Sequence, residues 1–188
     1  MDMRLSIILM TVLFCSYYPF GAEGNDVPKG EKISLSIPSL TEEEINSNHM
    51  PFHMKCDACK AISFQIREAF DKKRSYRQTD LEHHEILDIL EELCGKGFND
   101  YGVKQVNGVN RLSGPGLETE HVMGMTQMGG HWPNRLRDMC FYYVGEAGEI
   151  DMYDTNKEGP EKLMELLCYG KGVYGHCSQL KSPIKTEL

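Results

Sequence analysis

The sequence has no basic stripe, no internal repeat and no Asn-x-Ser/Thr acceptor for N-glycosylation. It also lacks a Ser/His/Asp order, a glycine-rich phosphate loop and a pair of catalytic carboxylates. Among its 188 residues 28 are Asp or Glu and 20 are Lys or Arg, a formal charge of −8. That balance excludes nucleic-acid binding, because displacing phosphate counterions needs clustered Lys and Arg. Apolar residues make up 40% and charged residues 26%. These shares exclude global disorder and a multi-span membrane protein, and leave one globular domain as the expectation.

The single long hydrophobic run lies at the start. After Arg4 come Leu5 to Phe14, then Cys15, Pro19 and the small residues Gly21 and Ala22. A basic residue, a stretch short of a bilayer span and small residues for cleavage read as a secretory signal over 1–22, with the cut near Ala22 and Gly24 as an alternative. An uncleaved anchor is the competing reading, disfavoured by the polar flank after Phe20. No stable membrane insertion is expected. Removing 22 of the 188 residues leaves 166, enough to bury roughly 70% of the unfolded chain's surface.

The opposite end carries an address. Lys185-Thr186-Glu187-Leu188 is close to the Lys-Asp-Glu-Leu retrieval signal, with Thr in place of Asp. Together with the leader it predicts the lumen of the endoplasmic reticulum, with partial escape by secretion.

Of seven cysteines, Cys15 leaves with the signal, and Cys56, Cys59, Cys94, Cys140, Cys168 and Cys177 remain. An even set in an oxidising lumen reads as three disulfides. Parity alone allows 15 connectivities, and a separate Cys56/Cys59 pair with two structural bridges is equally even.

Residues 23–38 show little periodicity and read as a flexible mature N-terminus, followed by a domain over 39–180 and a tail over 181–188. The capping box Thr41-Glu42-Glu43-Glu44 predicts a short helix ending before Pro51. A longer helix over 52–73 repeats Cys56, Cys59, Ile62, Ile66 and Phe70 on its apolar face. Thr79-Asp80-Leu81-Glu82 is a second capping box, opening a helix with Ile86, Leu90 and Cys94 inward and Gly95 as its stop. A helix over 133–156 starts at Pro133 and is expected to kink at Gly145 and Gly148. The last one runs from Pro160 to Tyr169. Between Cys94 and Cys140 a hairpin turns at Asn107-Gly108, and a Met/Gly-rich loop with one further strand follows.

Four constellations carry candidate chemistry. Cys56-Asp57-Ala58-Cys59 at a helix start is a candidate redox pair, since a helix N-terminus depresses a thiol pKa and a neighbouring thiol resolves a mixed disulfide. It lacks the upstream strand of a thioredoxin-type site, so structural bonding is the preferred reading and enzymatic activity the alternative. His49, His53, Cys56 and Cys59 could supply four zinc ligands, but Pro51 and an oxidising lumen argue against that, and no metal or other cofactor is expected. Asp154 to Gly159 with Glu165 nearly matches a calcium loop; Pro160 and Lys162 favour a plain turn and helix start. Met123, Met125 and Met128, with Trp132, are candidates for an adaptable apolar surface contacting unfolded clients, the alternative being that they fill the domain's own core.

The order of helices and cysteines resembles the saposin-like framework, and the fold expected is mainly α, a disulfide-linked helical domain with a loop and β-hairpin insertion. If the first and last helices are neighbours, that resemblance implies a nested pairing, Cys56 to Cys177, Cys59 to Cys168 and Cys94 to Cys140. Each bridge would contribute on the order of 4 kcal/mol in the chain-entropy account. The long Cys94–Cys140 interval departs from compact saposins. His49-Met-Pro-Phe-His-Met-Lys-Cys56-Asp-Ala-Cys59-Lys-Ala, Asp100-Tyr-Gly-Val103, Arg111-Leu-Ser-Gly-Pro-Gly-Leu117 and Trp132-Pro-Asn-Arg-Leu136 are more specific. With similarity over nearly all of 40–188, they resemble the marginal-zone B-cell-specific protein family, also called plasma-cell-induced resident endoplasmic reticulum proteins and related to the canopy proteins. That resemblance implies help in folding and assembling immunoglobulin, especially IgM heavy and light chains, beside endoplasmin and BiP. It also implies a role in B-cell calcium stores and integrin activation.

Overall fold

The computed structural model describes residues 37–170 and 175–179. The leader expected over 1–22, most of the 23–38 stretch and the tail expected over 181–188 lie outside them. Helix α1 (Glu42–Asn46) opens as its capping box dictates: the Glu44 amide donates to Thr41 Oγ1, and the Thr41 amide donates to Glu44 Oε2 at 2.7 Å. Pro51 ends the connection, and a 3-10 turn (Phe52–Met54) leads into α2 (Lys55–Arg77), which stops at Gln78 in the left-handed conformation, φ 59°.

The N-cap of helix α3 (His83–Lys96) lies three residues later than expected, at Glu82 in place of Thr79. Glu82 serves as N-cap with Glu85 as its reciprocal partner, because Leu81 is buried and its amide is taken by the Tyr153 hydroxyl at 3.0 Å. Gly95 does not stop this helix, which runs on to a cap at Gly97. The hairpin β1 (Gly102–Val106) and β2 (Val109–Ser113) turns on Asn107 and Gly108, both at positive φ as an Asn-Gly turn requires. A third strand, β3 (Thr126–Met128), pairs antiparallel with β1, giving the order β2-β1-β3.

The helix expected over 133–156 is two helices, α4 (Trp132–Ala147) and α5 (Glu149–Glu158). Gly148 adopts φ 81°, capping the first and starting the second, so the expected kink is a full break. Helices α6 (Lys162–Tyr169) and α7 (His176–Gln179) complete the described chain.

Helix α2 is the axis of the molecule, touching α3, α4, α5, α6 and α7. Its buried stripe, Ala58, Cys59, Ala61, Ile62, Ile66 and Phe70, follows the three- and four-residue spacing of one helix face. Each of the large side chains there contributes about 1.5–3 kcal/mol by leaving water. Phe70 meets the Tyr153 ring edge-on at 5.3 Å. Disulfides fasten this frame: Cys56–Cys177 and Cys59–Cys168 tie the start of α2 to α7 and α6, and Cys94–Cys140 ties α3 to α4. The result is a mainly helical, saposin-like disulfide-linked fold with a small sheet inserted between α3 and α4. Among the described residues no helix is long and apolar enough to cross a membrane.

Candidate functional site

The sheet is anchored to the helical frame by charge. Asp57, inside the Cys-Asp-Ala-Cys turn of α2, is buried and accepts two 2.6 Å hydrogen bonds from Arg111 Nε and Nη2 on β2. This fork-to-fork geometry is the strongest form of such a pair, and it holds the Arg111 guanidinium above its ordinary pKa. Lys60, one turn on, reaches Glu118 at 2.8 Å and pulls that carboxyl below its usual range, chiefly by the hydrogen bond it donates. Ala58 is fully buried. The interior of the motif therefore packs the core and clamps the hairpin.

Its two sulfurs are bonded to different helices instead of to each other. Cys59 and Cys168 are fully buried, with Ser63 Oγ 3.4 Å from Cys168 Sγ, whereas Cys56 is half-buried. A sulfur in a disulfide is no thiolate ligand, so the four-ligand zinc set does not exist in this oxidised state. His53 Nε2 lies instead 3.3 Å from Glu44 Oε1. Asp154 pairs with Lys157 at 2.9 Å, and the stretch from Asp154 to Glu158 is the end of α5, not a loop.

The methionine segment is built around one buried cation. Lys104, in the middle of β1, is buried, and its Nζ donates to the carbonyl oxygens of Thr119 at 2.8 Å, Glu120 at 3.1 Å and Val122 at 2.8 Å. An ammonium has three donors and all three are used. Thr119 Oγ1 donates to the Leu112 carbonyl at 2.6 Å, and the Tyr101 hydroxyl donates to that of Pro115 at 2.7 Å. Gly116, at φ 78°, would drive a Cβ to 2.2 Å from the Phe64 ring, so no larger residue fits there. The loop over 114–124 is thus fastened to the sheet from several sides.

From this fastened loop and the adjoining strand, apolar side chains face water. Met123 is 68% exposed, Met125 48% and Met128 49%, with Val122 beside them. Trp132 does not belong to this surface. It is 3% exposed, under the guanidinium of Arg135 at 4.3 Å, and the expectation that it contacts clients is corrected: its indole is core. The reason is Arg135, itself buried, which donates through Nε and Nη2 to the Ser47 carbonyl and needs an aromatic face in place of a carboxylate. Burial draws this guanidinium below its ordinary pKa, opposed by Glu44 and Glu43.

Sequence reasoning missed Lys104, the Asp57–Arg111 clamp and Gly102. At Gly102 strands β1 and β3 approach so closely that a Cβ would lie 2.3 Å from the Gln127 carbonyl oxygen. The one signal available was a glycine opening a strand, which marks close backbone approach.

No protein-family model matches the chain. It is 37% identical over 186 residues to the marginal zone B- and B1-cell-specific protein of Mus musculus, covering 94% of this chain and 95% of that one. The protein of the same name from Homo sapiens is 35% identical over 195 residues, 99% of this chain and all of its own. That from Rattus norvegicus is 38% identical over 170 residues, 85% of this chain and 89% of its own. Identity of this order along almost the whole of both chains makes the protein a member of the marginal zone B- and B1-cell-specific protein family.

Proposed function

We propose that the protein is a co-chaperone of the endoplasmic reticulum lumen that assists the folding, disulfide-linked assembly and secretion of immunoglobulin, IgM heavy and light chains above all. The observation that carries this reading is the exposed methionine surface of Met123, Met125 and Met128 on a cross-linked scaffold. Unbranched thioether chains adapt to irregular apolar partners, and a rigid mount spares the binder the cost of ordering its own backbone. The name of the relatives refers to B cells, the source of such clients. The leader and Lys185 to Leu188 support the lumenal address, where endoplasmin and BiP are the expected companions. A role in B-cell calcium stores and integrin activation follows from the same family reading.

The test is co-precipitation of a partly folded IgM heavy chain with the Met123→Ser/Met125→Ser/Met128→Ser protein, alongside its thermal unfolding. Capture should fall about tenfold or more, equivalent to roughly 1.4 kcal/mol, at an unchanged midpoint. Undiminished capture by a folded variant would discard the surface. Deleting Lys185 to Leu188 should raise secretion.

A second reading is a thiol–disulfide oxidoreductase using Cys56 and Cys59. It is favoured by Cys56, half-buried where Cys59 is fully buried, since thiol–disulfide exchange depends on access to the bond. Turnover of insulin disulfides by the intact protein with reduced glutathione would move the assignment there.

A further inference from the structure

Helices α2 and α3 leave between them a groove of about 490 Å³. Its floor is half-buried and apolar, Ala69 on one helix, Ile89 and Leu93 on the other. Tyr76, 90% exposed, stands at one end. Both rims carry cations: Lys72 and Lys73 on α2, Lys96 on α3. Among the described residues none of these three ammonium groups is paired with a carboxylate. Glu92 is the one acid in the lining. In a chain of net charge −8, three lysines round an apolar floor, none in a close ion pair and only Lys73 near enough to act on an acid outside the lining, Glu85, run against the sign of the whole molecule.

We propose that this groove docks an acidic amphipathic helix of another protein. The lining runs from Ala69 to Tyr76 on one wall and from Ile89 to Lys96 on the other, about 10 Å along each axis at 1.5 Å per residue, or two helical turns. A helix laid there sets apolar residues at i, i+3, i+4 and i+7 on Ala69, Ile89 and Leu93. Its Asp or Glu residues on the two flanks then meet Lys72 and Lys73 on one side and Lys96 on the other. Charge on both rims decides between occupants. A helix offers carboxylates on both flanks, whereas a fatty acid or lipid has a single headgroup and answers one rim only. This surface is separate from the methionine loop and does not depend on it.

The test uses the full mature protein with its disulfides intact and a fluorescent peptide of about 18 residues, long enough to hold a helix. The peptide carries Leu at the four apolar positions and Glu on both flanks, and binding is followed by anisotropy. The Glu peptide should bind and weaken with added salt, and a matched peptide with Lys flanks should not bind. Lys72→Glu/Lys73→Glu should weaken binding about tenfold or more, since two attractive pairs become repulsive. Ala69→Trp, which fills the floor and leaves every charge in place, should weaken it similarly. The lysine variant should keep the parental thermal midpoint, as both side chains are exposed. Ala69→Trp, at a half-buried position, is compared only after circular dichroism and its own unfolding curve show it folded at the assay temperature. Equal affinity of the parent and the charge-reversed protein would overturn the proposal. So would unaltered binding by Ala69→Trp, which would reduce the effect to charge alone, or a preference for palmitate or phosphatidylglycerol vesicles over the Glu peptide.

Discussion

Lys104 shows how a residue type can carry a role that its chemistry permits and its neighbours in sequence do not announce. A lysine in a short strand reads as a solvent-facing position; here it is the hub of three carbonyl oxygens contributed from residues 119 to 122. Lys104→Met preserves the length and the apolar stem but leaves those acceptors without their donor. Unsatisfied buried polar groups cost about 1–3 kcal/mol each, and partial access of water offsets some of that, so the variant should lose roughly 2–4 kcal/mol in urea unfolding. Limited proteolysis should then cut first within 114–124. Resistance equal to the parent's would show that the loop is held by its other bonds. His176 makes a second residue-scale case. Burial, assisted by Lys55, depresses its pKa below the ordinary 6.5, and its Nδ1 lies 2.7 Å from the Tyr143 hydroxyl. The unfolded chain therefore binds the proton more readily than the folded one, and stability is full above pH 6.5 and declines as pH falls below it. His176→Gln, which keeps a hydrogen-bonding group but does not titrate, should flatten the thermal midpoint between about pH 7 and pH 5.5. An unchanged slope would assign the loss to other groups.

At the scale of elements, periodicity and caps revealed most of the helical frame. The apolar stripes of α2, α3 and α6 stand where a 3.6-residue period puts them, and the Asn107-Gly108 turn lies at the centre of the hairpin. The differences have local causes. Tyr153 captures the Leu81 amide and shifts the start of α3, and the positive φ of Gly148 turns one long helix into two. Trp132 was misread because its cation partner, Arg135, sits on the same helix, and no pattern separates such a stacked pair from an exposed one. Strand β3 is only three residues long, too short to alternate visibly, and it exists because Gly102 lets it approach β1. Gly102→Ala should therefore separate the two strands. Amide exchange of Thr126 to Met128 should quicken while that of α2 stays slow, and under the proposed co-chaperone role capture of the IgM heavy chain should fall along with β3. Retained protection of β3 would show that the backbone absorbs the extra methyl group by a small shift.

For the molecule as a whole, the disulfides set the topology. Two of them join positions 121 and 109 residues apart, and the third closes an interval of 46. The chain-entropy account assigns each a stabilisation of about 4–5 kcal/mol, the largest for the longest loops. The clamp of Asp57 on Arg111 and the capture of loop carbonyls by Lys104 join the sheet to this frame, and neither leaves a trace in hydrophobic patterning.

These long spans also make the protein's birth asymmetric in time. Cys56 and Cys59 are synthesised first, and their partners Cys177 and Cys168 follow 121 and 109 residues later. At about 5–20 residues per second, the two early thiols wait roughly 5–20 seconds before a native partner exists. During that interval the fold cannot close round α2, and whatever enzyme oxidises the nascent chain meets two adjacent thiols whose nearest available partners are each other. Ribosome-bound chains stalled before Cys168 should therefore label with maleimide at Cys56 and Cys59 or carry a transient bond between them, and release of the finished chain should abolish both signals. Early protection of these two sulfurs in some other linkage would mean that a helper molecule occupies them until the C-terminal helices arrive.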